Sequence, residues 1–309
     1  MIVRSAQFSA FPPDRPATRH VLDPELVYRV GRGDDVDLCV DHVSVSRSHA
    51  EIHADADGWH VHDVGSRNGV RVDGFRIEEA VLSRTSWFMV GDVYCSLELL
   101  DAHAAAARRA ATQRRREASE RLSQNLHYEL GVGGLLAQTL DAVLELSDME
   151  RGFVLYAARG KELCVRAQRG ICAQEIARGS FAGSVAAVER ALASGDSVVC
   201  CDTDQSPWLG ARPSVRLGGV RALVCVPLRL PELCGALYAD SRQPGPALTE
   251  LDLELIENVA QHASAALDLA RVDEGWQRMP GDLGTRASND PLWHGLSAPA
   301  LAAGHRLAY

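Results

Sequence analysis

Ser46, Arg47, Ser48 and His49 put four hydrogen-bonding side chains in a row inside VSVSRSHAEI, residues 43–52, whose ends alternate apolar and polar like a strand. A half-buried strand has no structural need for such a run. Ser46 and His49 have the residue types of a nucleophile and its base. No orienting third group or oxyanion loop accompanies them, so catalysis is not assigned. Two further polar groups stand in turns on either side: Arg32 in VGR at 30–32, and Asn68 in DVGSRNGV at 63–70. His60 and His62 share one strand face and would begin a metal site. Without a third ligand at a defined spacing they are read as surface histidines, and no metal is assigned. The adjacent thiols of Cys200 and Cys201 suggest redox sensing, but Asp202 and Asp204 disfavour a thiolate, and SVVCCD reads as a strand end. Gly31, Gly33, Gly65 and Gly69 form no phosphate loop, and the sole lysine, Lys161, follows no glycine-rich loop. The chain also lacks a nucleophile elbow, a kinase loop set and a zincin motif.

The elements that must carry these residues are short. From Tyr28 to Leu100, apolar stretches are punctuated by Gly, Asp, Asn and Ser every eight to twelve residues, the rhythm of antiparallel strands in a sandwich. Ala54 to Gly58 and Asp73-Gly74 read as hairpin turns. The polar row is then the end of a loop entering a strand.

Gly-Arg at 31–32, Ser-x-x-His at 46–49 and Ser-x-Asn-Gly at 66–69 together resemble the forkhead-associated (FHA) domain, over residues 26–101. The resemblance implies an eleven-stranded β-sandwich whose loops at one end bind phosphothreonine peptides. The side chains suit that task, because a phosphothreonine is close to a dianion with three strong acceptor oxygens. Arg32 offers a planar, permanently charged fork, Ser46 a hydroxyl, and Arg47 a second cation. Asn68 offers both faces of its amide to the peptide backbone. By the same resemblance His49 is a buried strut between the recognition loops, and Gly31 and Gly69 support their backbones. The family often has Thr where Arg67 stands; Arg67 either adds charge to the site or points to solvent. Residues 1–25 are read as an N-terminal extension. Within them Thr18 is a candidate phosphosite for capture by another copy's Arg32.

After Leu100 the texture changes. Residues 102–130, AHAAAARRAATQRRREASERLSQNLHYEL, contain no Gly or Pro and read as a helical linker with a thin, Ala-rich stripe. GVGG at 131–134 is expected to interrupt that helix. Apolar runs such as GFVLYAA and ALVCVPLRL then alternate with helical periods, the last running from Thr249 through Ala270, so the fold class is α+β or α/β. Residues 131–272 resemble a GAF domain. That implies a six-stranded sheet with helices on one side, and flanking helices that dimerise. Its pocket holds a small-molecule ligand or nothing: no cofactor is assigned, and the ligand is unknown. Residues 273–309 read as a disordered tail, with Trp276 and Trp293 as stray aromatics or docking anchors.

The net charge of -9 is uneven: residues 1–101 carry 17 acidic against 10 basic groups. Bulk charge therefore gives no nucleic-acid binder, and no apolar run is long enough for a membrane helix. Eight cysteines lie mostly within apolar runs and suit a reducing, cytoplasmic compartment. One lysine against thirty-one arginines reflects a GC-rich bacterial genome. The pair of resemblances points to a multidomain, non-enzymatic bacterial signalling adaptor. It would bind a threonine-phosphorylated partner, a Ser/Thr kinase or its substrate, and would form homodimers through the helices that flank the GAF domain. The alternative is a transcription regulator acting through a sigma-54-type activator or a sigma factor, because the paired domains also resemble the N-terminal region of sigma-54-dependent regulators.

Overall fold

The computed structural model describes residues 4–82, 85–124, 131–158, 163–171, 184–206, 208–209, 212–230, 233–243 and 247–272. Two compact units result. The first comprises Met1–Arg115 with Ala247–Leu251, and the second Arg116–Pro246 with Asp252–Tyr309.

The first unit is a sandwich of eleven described strands. Six form one sheet in the order β2-β1-β11-β10-β7-β8: β1 (Ala6–Phe11), β2 (Thr18–Leu22), β7 (Val70–Val72), β8 (Phe75–Ile77), β10 (Ser86–Val90) and β11 (Val93–Leu99). The facing sheet runs β4-β3-β5-β6-β9, from β3 (Tyr28–Gly31), β4 (Leu38–Cys39), β5 (Ala50–Ala54), β6 (Trp59–Asp63) and β9 (Glu79–Leu82). Alternation sets what lies between them. Ile52 of β5 and Trp59 and Val61 of β6 turn inward against Phe8, Val30 and Leu97, all but inaccessible to water. Each such side chain contributes about 1.5–3 kcal/mol by leaving water.

Much of the described part of the segment expected as an extension, residues 1–25, belongs to the sandwich as β1 and β2. β1 pairs antiparallel with β11 from Ala6↔Leu99 to Phe11↔Tyr94, and β2 pairs with β1. Phe8 and Leu22 are fully buried in the common core. The Pro-rich stretch between the two strands is a connection within the sheet. Thr18 is correspondingly 2% exposed, and its hydroxyl donates to Cys39 O and Glu250 Oε1. That leaves the folded chain without an accessible phosphosite at this position. Asp73 and Gly74 both have positive φ, 51° and 83°, and form the two-residue turn between β7 and β8.

Helix α1 (Ala102–Gln124) starts at Asp101, whose carboxylate accepts the Ala104 N–H at 2.7 Å. The 131–134 glycines do not interrupt a helix: they open α2 (Gly131–Ser147). Residues 125–130 and the tail expected at 273–309, with Trp276 and Trp293, lie outside the described residues.

The second unit has a five-stranded antiparallel sheet among the described residues, where the resemblance implies six. Its order is β13-β12-β16-β15-β14, from β12 (Arg151–Ala158), β13 (Cys164–Arg169), β14 (Val198–Cys200), β15 (Ala222–Leu230) and β16 (Leu233–Ser241). The purely antiparallel pairing makes this domain α+β. Phe153 and Leu155 pack with Ala187, Val188 and Ala191 of α3 (Val185–Ser194). A Cβ at the alternate position Gly152 would meet Leu140 of α2. Helices therefore cover both faces, because apolar side chains leave both sides of these strands. A short α4 (Pro213–Gly218) and the long α5 (Glu250–Val272) complete the described helices. Cys95 and Cys225 are buried thiols, and Cys200 lies buried at the end of β14. No helix of the described residues is long and apolar enough to cross a membrane.

Candidate functional site

The segment 44–49 is the centre on which the sequence-selected residues converge. β3 ends at Gly31, and the chain leaving it lies against this segment: Arg32 N–H donates to Ser46 O at 3.0 Å and Gly33 N–H to Arg47 O at 3.1 Å. Only glycine permits that approach at position 31. An added Cβ would overlap Arg47 O and stand 2.8 Å from Arg47 C, both main-chain atoms that cannot swing away. Arg32 is thereby placed beside Ser46 by its backbone, with its side chain exposed.

His49 ties the second loop to the first. It is fully buried; its Nδ1 accepts the Ser46 N–H at 2.9 Å and its Nε2 lies 3.1 Å from Gly69 O. A ring nitrogen that accepts an amide proton carries none, so the imidazole is the neutral Nε2–H tautomer, donating to Gly69 O. Burial pushes its pKa below the ordinary histidine value, and the hydrogen bond to Gly69 opposes this without reversing it. Gly69 itself has φ 82°, and a side chain there would collide with Arg76.

The third loop closes over Ser46. Arg67 N–H donates to Ser46 Oγ at 3.1 Å, which leaves the half-buried hydroxyl its own proton to donate outward. Arg67 is thus at the same mouth, its side chain exposed. Asn68 spends part of its amide internally: Nδ2 donates to Ser44 O at 2.7 Å, leaving one N–H and the carbonyl oxygen. The amide expected to face a peptide from both sides is in part a brace for the loop. Among the described residues, the guanidinium groups of Arg32, Arg47 and Arg67 make no hydrogen bond or ion pair. The outcome is three exposed cations whose main chains lie beside one half-buried hydroxyl, on backbone held by hydrogen bonds between the loops.

Sequence reasoning missed the residues that shape the third loop. Asp63 Oδ1 accepts the N–H groups of Gly65 at 3.1 Å and Ser66 at 2.7 Å, and its Oδ2 accepts that of Val70 at 3.3 Å. Burial pushes the Asp63 carboxyl up, but these amides and the Ser66 hydroxyl outweigh it and hold the group below the usual aspartate range. Ser66 Oγ in turn accepts the Gly69 N–H at 2.9 Å. Ser44 Oγ accepts the Asp92 N–H at 2.8 Å. The signal available was Asp63-x-Gly-Ser, an Asx turn in which an aspartate caps the amides two and three residues on.

Comparison with known families identifies two domains. The FHA domain model matches residues 28–91 and the GAF domain model residues 129–268. The chain carries an FHA domain followed by a GAF domain. Both are regulatory rather than catalytic domain types. The FHA region is 39% identical over 74 residues to the oxoglutarate dehydrogenase inhibitor of Corynebacterium jeikeium, covering 24% of this chain and 51% of that protein. It is 36% identical over 74 residues to the glycogen accumulation regulator GarA of Mycobacterium tuberculosis, covering 24% and 45%. The chain spans about half the length of the curated relatives it matches. Among solved structures, Mycobacterium tuberculosis EmbR in complex with a low-affinity phosphopeptide aligns with 25% identity and a TM-score of 0.28, over 32% of this chain and 25% of that one.

In the GAF domain one charged pair is turned inward. Arg151, 5% exposed, donates through Nε to Asp240 Oδ1 at 2.6 Å, and Asp240 is fully buried. Tyr238 donates its hydroxyl to Asp240 Oδ2 at 2.8 Å and accepts the Ser184 N–H at 3.0 Å. Ser184 Oγ then accepts the Ala187 N–H and caps α3. Burial pushes the Tyr238 hydroxyl well above its usual pKa, and the Asp240 charge adds to the shift. Tyr238 also stacks on Phe153, with ring centroids 4.9 Å apart. This chain of contacts links β12 and β16 to the cap of α3, and every member is satisfied by another.

Proposed function

We propose that the FHA domain binds threonine-phosphorylated proteins, and that the chain acts as a cytoplasmic, non-enzymatic signalling adaptor. The observation that carries this reading is that cluster itself. Arg32, Arg47 and Arg67 meet at Ser46 through their main chains, their exposed guanidinium groups make no hydrogen bond or ion pair among the described residues, and the backbone beneath them is fixed by Gly31, His49 and Asn68. A phosphate dianion supplies what three unpaired cations and a hydroxyl donor lack. Such preorganisation lowers the ordering cost of binding. Arg32 and Ser46 hold the phosphate, Arg47 adds charge, and the free part of the Asn68 amide meets the peptide main chain. The GAF domain, with its flanking helices, supplies dimerisation or ligand sensing, and a dimer would strengthen binding to clustered phosphosites through effective concentration.

The deciding experiment is capture of partners from untreated and phosphatase-treated lysate. Calorimetry then follows with the captured phosphothreonine peptide and its unphosphorylated twin. Phosphate-dependent binding that weakens ten- to a hundredfold in Arg32→Ala supports the proposal, since hydrogen bonds to charged groups contribute about 1.5–3 kcal/mol. Equal affinity for the two peptides, or an Arg32→Ala protein that binds like the wild type, removes it.

A further inference from the structure

The histidine expected at the surface, His60, is only 8% exposed, and the ring that stacks on it is that of His53. β5 and β6 pair with His53 directly opposite His60, and the two rings stack with centroids 5.1 Å apart and planes 9° from parallel. Asp55 follows at the turn that joins these strands. Its Oδ1 accepts the N–H groups of Asp57 at 2.8 Å and Gly58 at 3.2 Å, so the carboxylate is fixed by the turn. The same oxygen lies 2.9 Å from His60 Nε2. From the next strand, Glu79 Oε1 stands 3.3 Å from His60 Nδ1, a buried nitrogen that makes no hydrogen bond.

One ligand atom each from His53, Asp55 and His60 fall within 4.8 Å of one another. Around a tetrahedral ion with bonds of ~2.0–2.2 Å, neighbouring ligand atoms are roughly 3.3 Å apart. Asp55 Oδ1 and His60 Nε2 already stand 2.9 Å apart, and His53 is only half-buried, so rotation of the His53 side chain suffices to close that gap. Two imidazoles and one carboxylate suit a divalent transition ion and not a hard cation that prefers oxygen alone. We propose that His53, Asp55 and His60 form a binding site for a divalent transition-metal ion of the zinc class. His60 binds through Nε2 as the neutral imidazole, and its remaining proton sits on Nδ1, facing Glu79. A ligating histidine whose other ring nitrogen donates to a carboxylate is held in orientation and made more basic. The site lies at the 55–58 turn, at the far end of β5 from the recognition loops, so it is independent of the phosphate rim and of the function proposed for it. A bound ion would clamp the β5–β6 hairpin and leave a coordination position open to water or a partner's side chain.

The test is calorimetry of the full chain with Zn2+ in a non-coordinating buffer, followed by visible absorption of the Co2+ form. The expected result is a zinc equivalent whose affinity falls at least tenfold in His53→Ala and in Asp55→Asn but is kept in His20→Ala, a change at an exposed histidine of β2. The Co2+ ligand-field band should be lost in the same two variants. Glu79→Gln should keep the equivalent with about tenfold weaker binding, the effect expected of an outer carboxylate. Because His60 is buried, the decisive variants are those at His53 and Asp55, whose replacement disturbs less packing. No bound zinc equivalent, or wild-type affinity and Co2+ spectrum in both variants, overturns the proposal.

Discussion

Arg32 and Arg151 both stand at strand ends beside tightly organised backbone, and the two domains treat their charge in opposite ways. Around Arg32 the hydrogen bonds are spent on the main chain: Ser46, Arg47, Gly69 and Ser44 are tied to one another, and the cations are left pointing outward. Around Arg151 the hydrogen bonds are spent on the charge itself, through Asp240 and Tyr238, out of contact with water. The first arrangement leaves electrostatic free energy to be gained from a ligand. The second has already gained it, and its worth lies in holding β12, β16 and the cap of α3 together. An arginine's role is therefore read from what its neighbours leave unsatisfied.

Perturbations of the two regions should differ in kind. The largest stability loss is expected in the GAF domain. Asp240→Asn leaves Arg151 charged and buried without its counter-charge, at a cost of about 3–5 kcal/mol. Denaturant melts should show it, and Arg151→Met combined with Asp240→Leu should recover much of the loss; equal losses in the single and double variants would break the contrast. Next comes Gly31→Ala, where the added methyl meets the Arg47 main chain. Separating the two loops should cost about 3 kcal/mol, the top of the range for overpacking, and abolish phosphopeptide binding. Arg32→Ala should do the reverse of Asp240→Asn. Its stability should stay within about 0.5 kcal/mol of wild type, while phosphopeptide affinity falls ten- to a hundredfold, as read by calorimetry.

The smallest effect is a pH dependence of the sandwich. The folded-state pKa of His49 lies below the ordinary value, so the unfolded chain takes up the proton first. Stability from the neutral ring is complete above about pH 6.5 and is lost as the pH falls toward the folded-state pKa. The slope is at most about 1.4 kcal/mol per pH unit. Melts of the peptide-free protein from neutral pH downward measure it, and His49→Asn should flatten the curve. Peptide-free conditions matter because the second ionisation of the phosphate falls near pH 6.

Much of the loop cluster at 31–33, 44–49 and 63–69 was legible as sequence, because its loops reuse local chemistry: Gly-Arg, Ser-x-x-His and Ser-x-Asn-Gly each occupy a short stretch of chain. The loop braces were harder to see. Asp63 and Ser66 act through main-chain amides, which every residue has, and Asn68 reaches back to Ser44 O across 24 residues. Residues 1–25 pass for an extension for a related reason. β1 and β2 are short and separated by prolines, and what makes them strands is pairing with β11, some ninety residues away.

By itself the order of residues determined the local matters: where strands alternate, where Asp73-Gly74 turns, where the helix-forming run after Leu100 begins, and which polar groups were too many for a strand. Tertiary structure alone decided which of them meet. His53 faces His60 because the hairpin register pairs those positions, and Asp240 became the partner of Arg151 because β12 and β16 are neighbours in the sheet. Turn and strand preferences act over a few residues, so they can be read in order along the chain. Juxtaposition depends on strand pairing and on shared cores, which bring together residues that the chain itself keeps far apart.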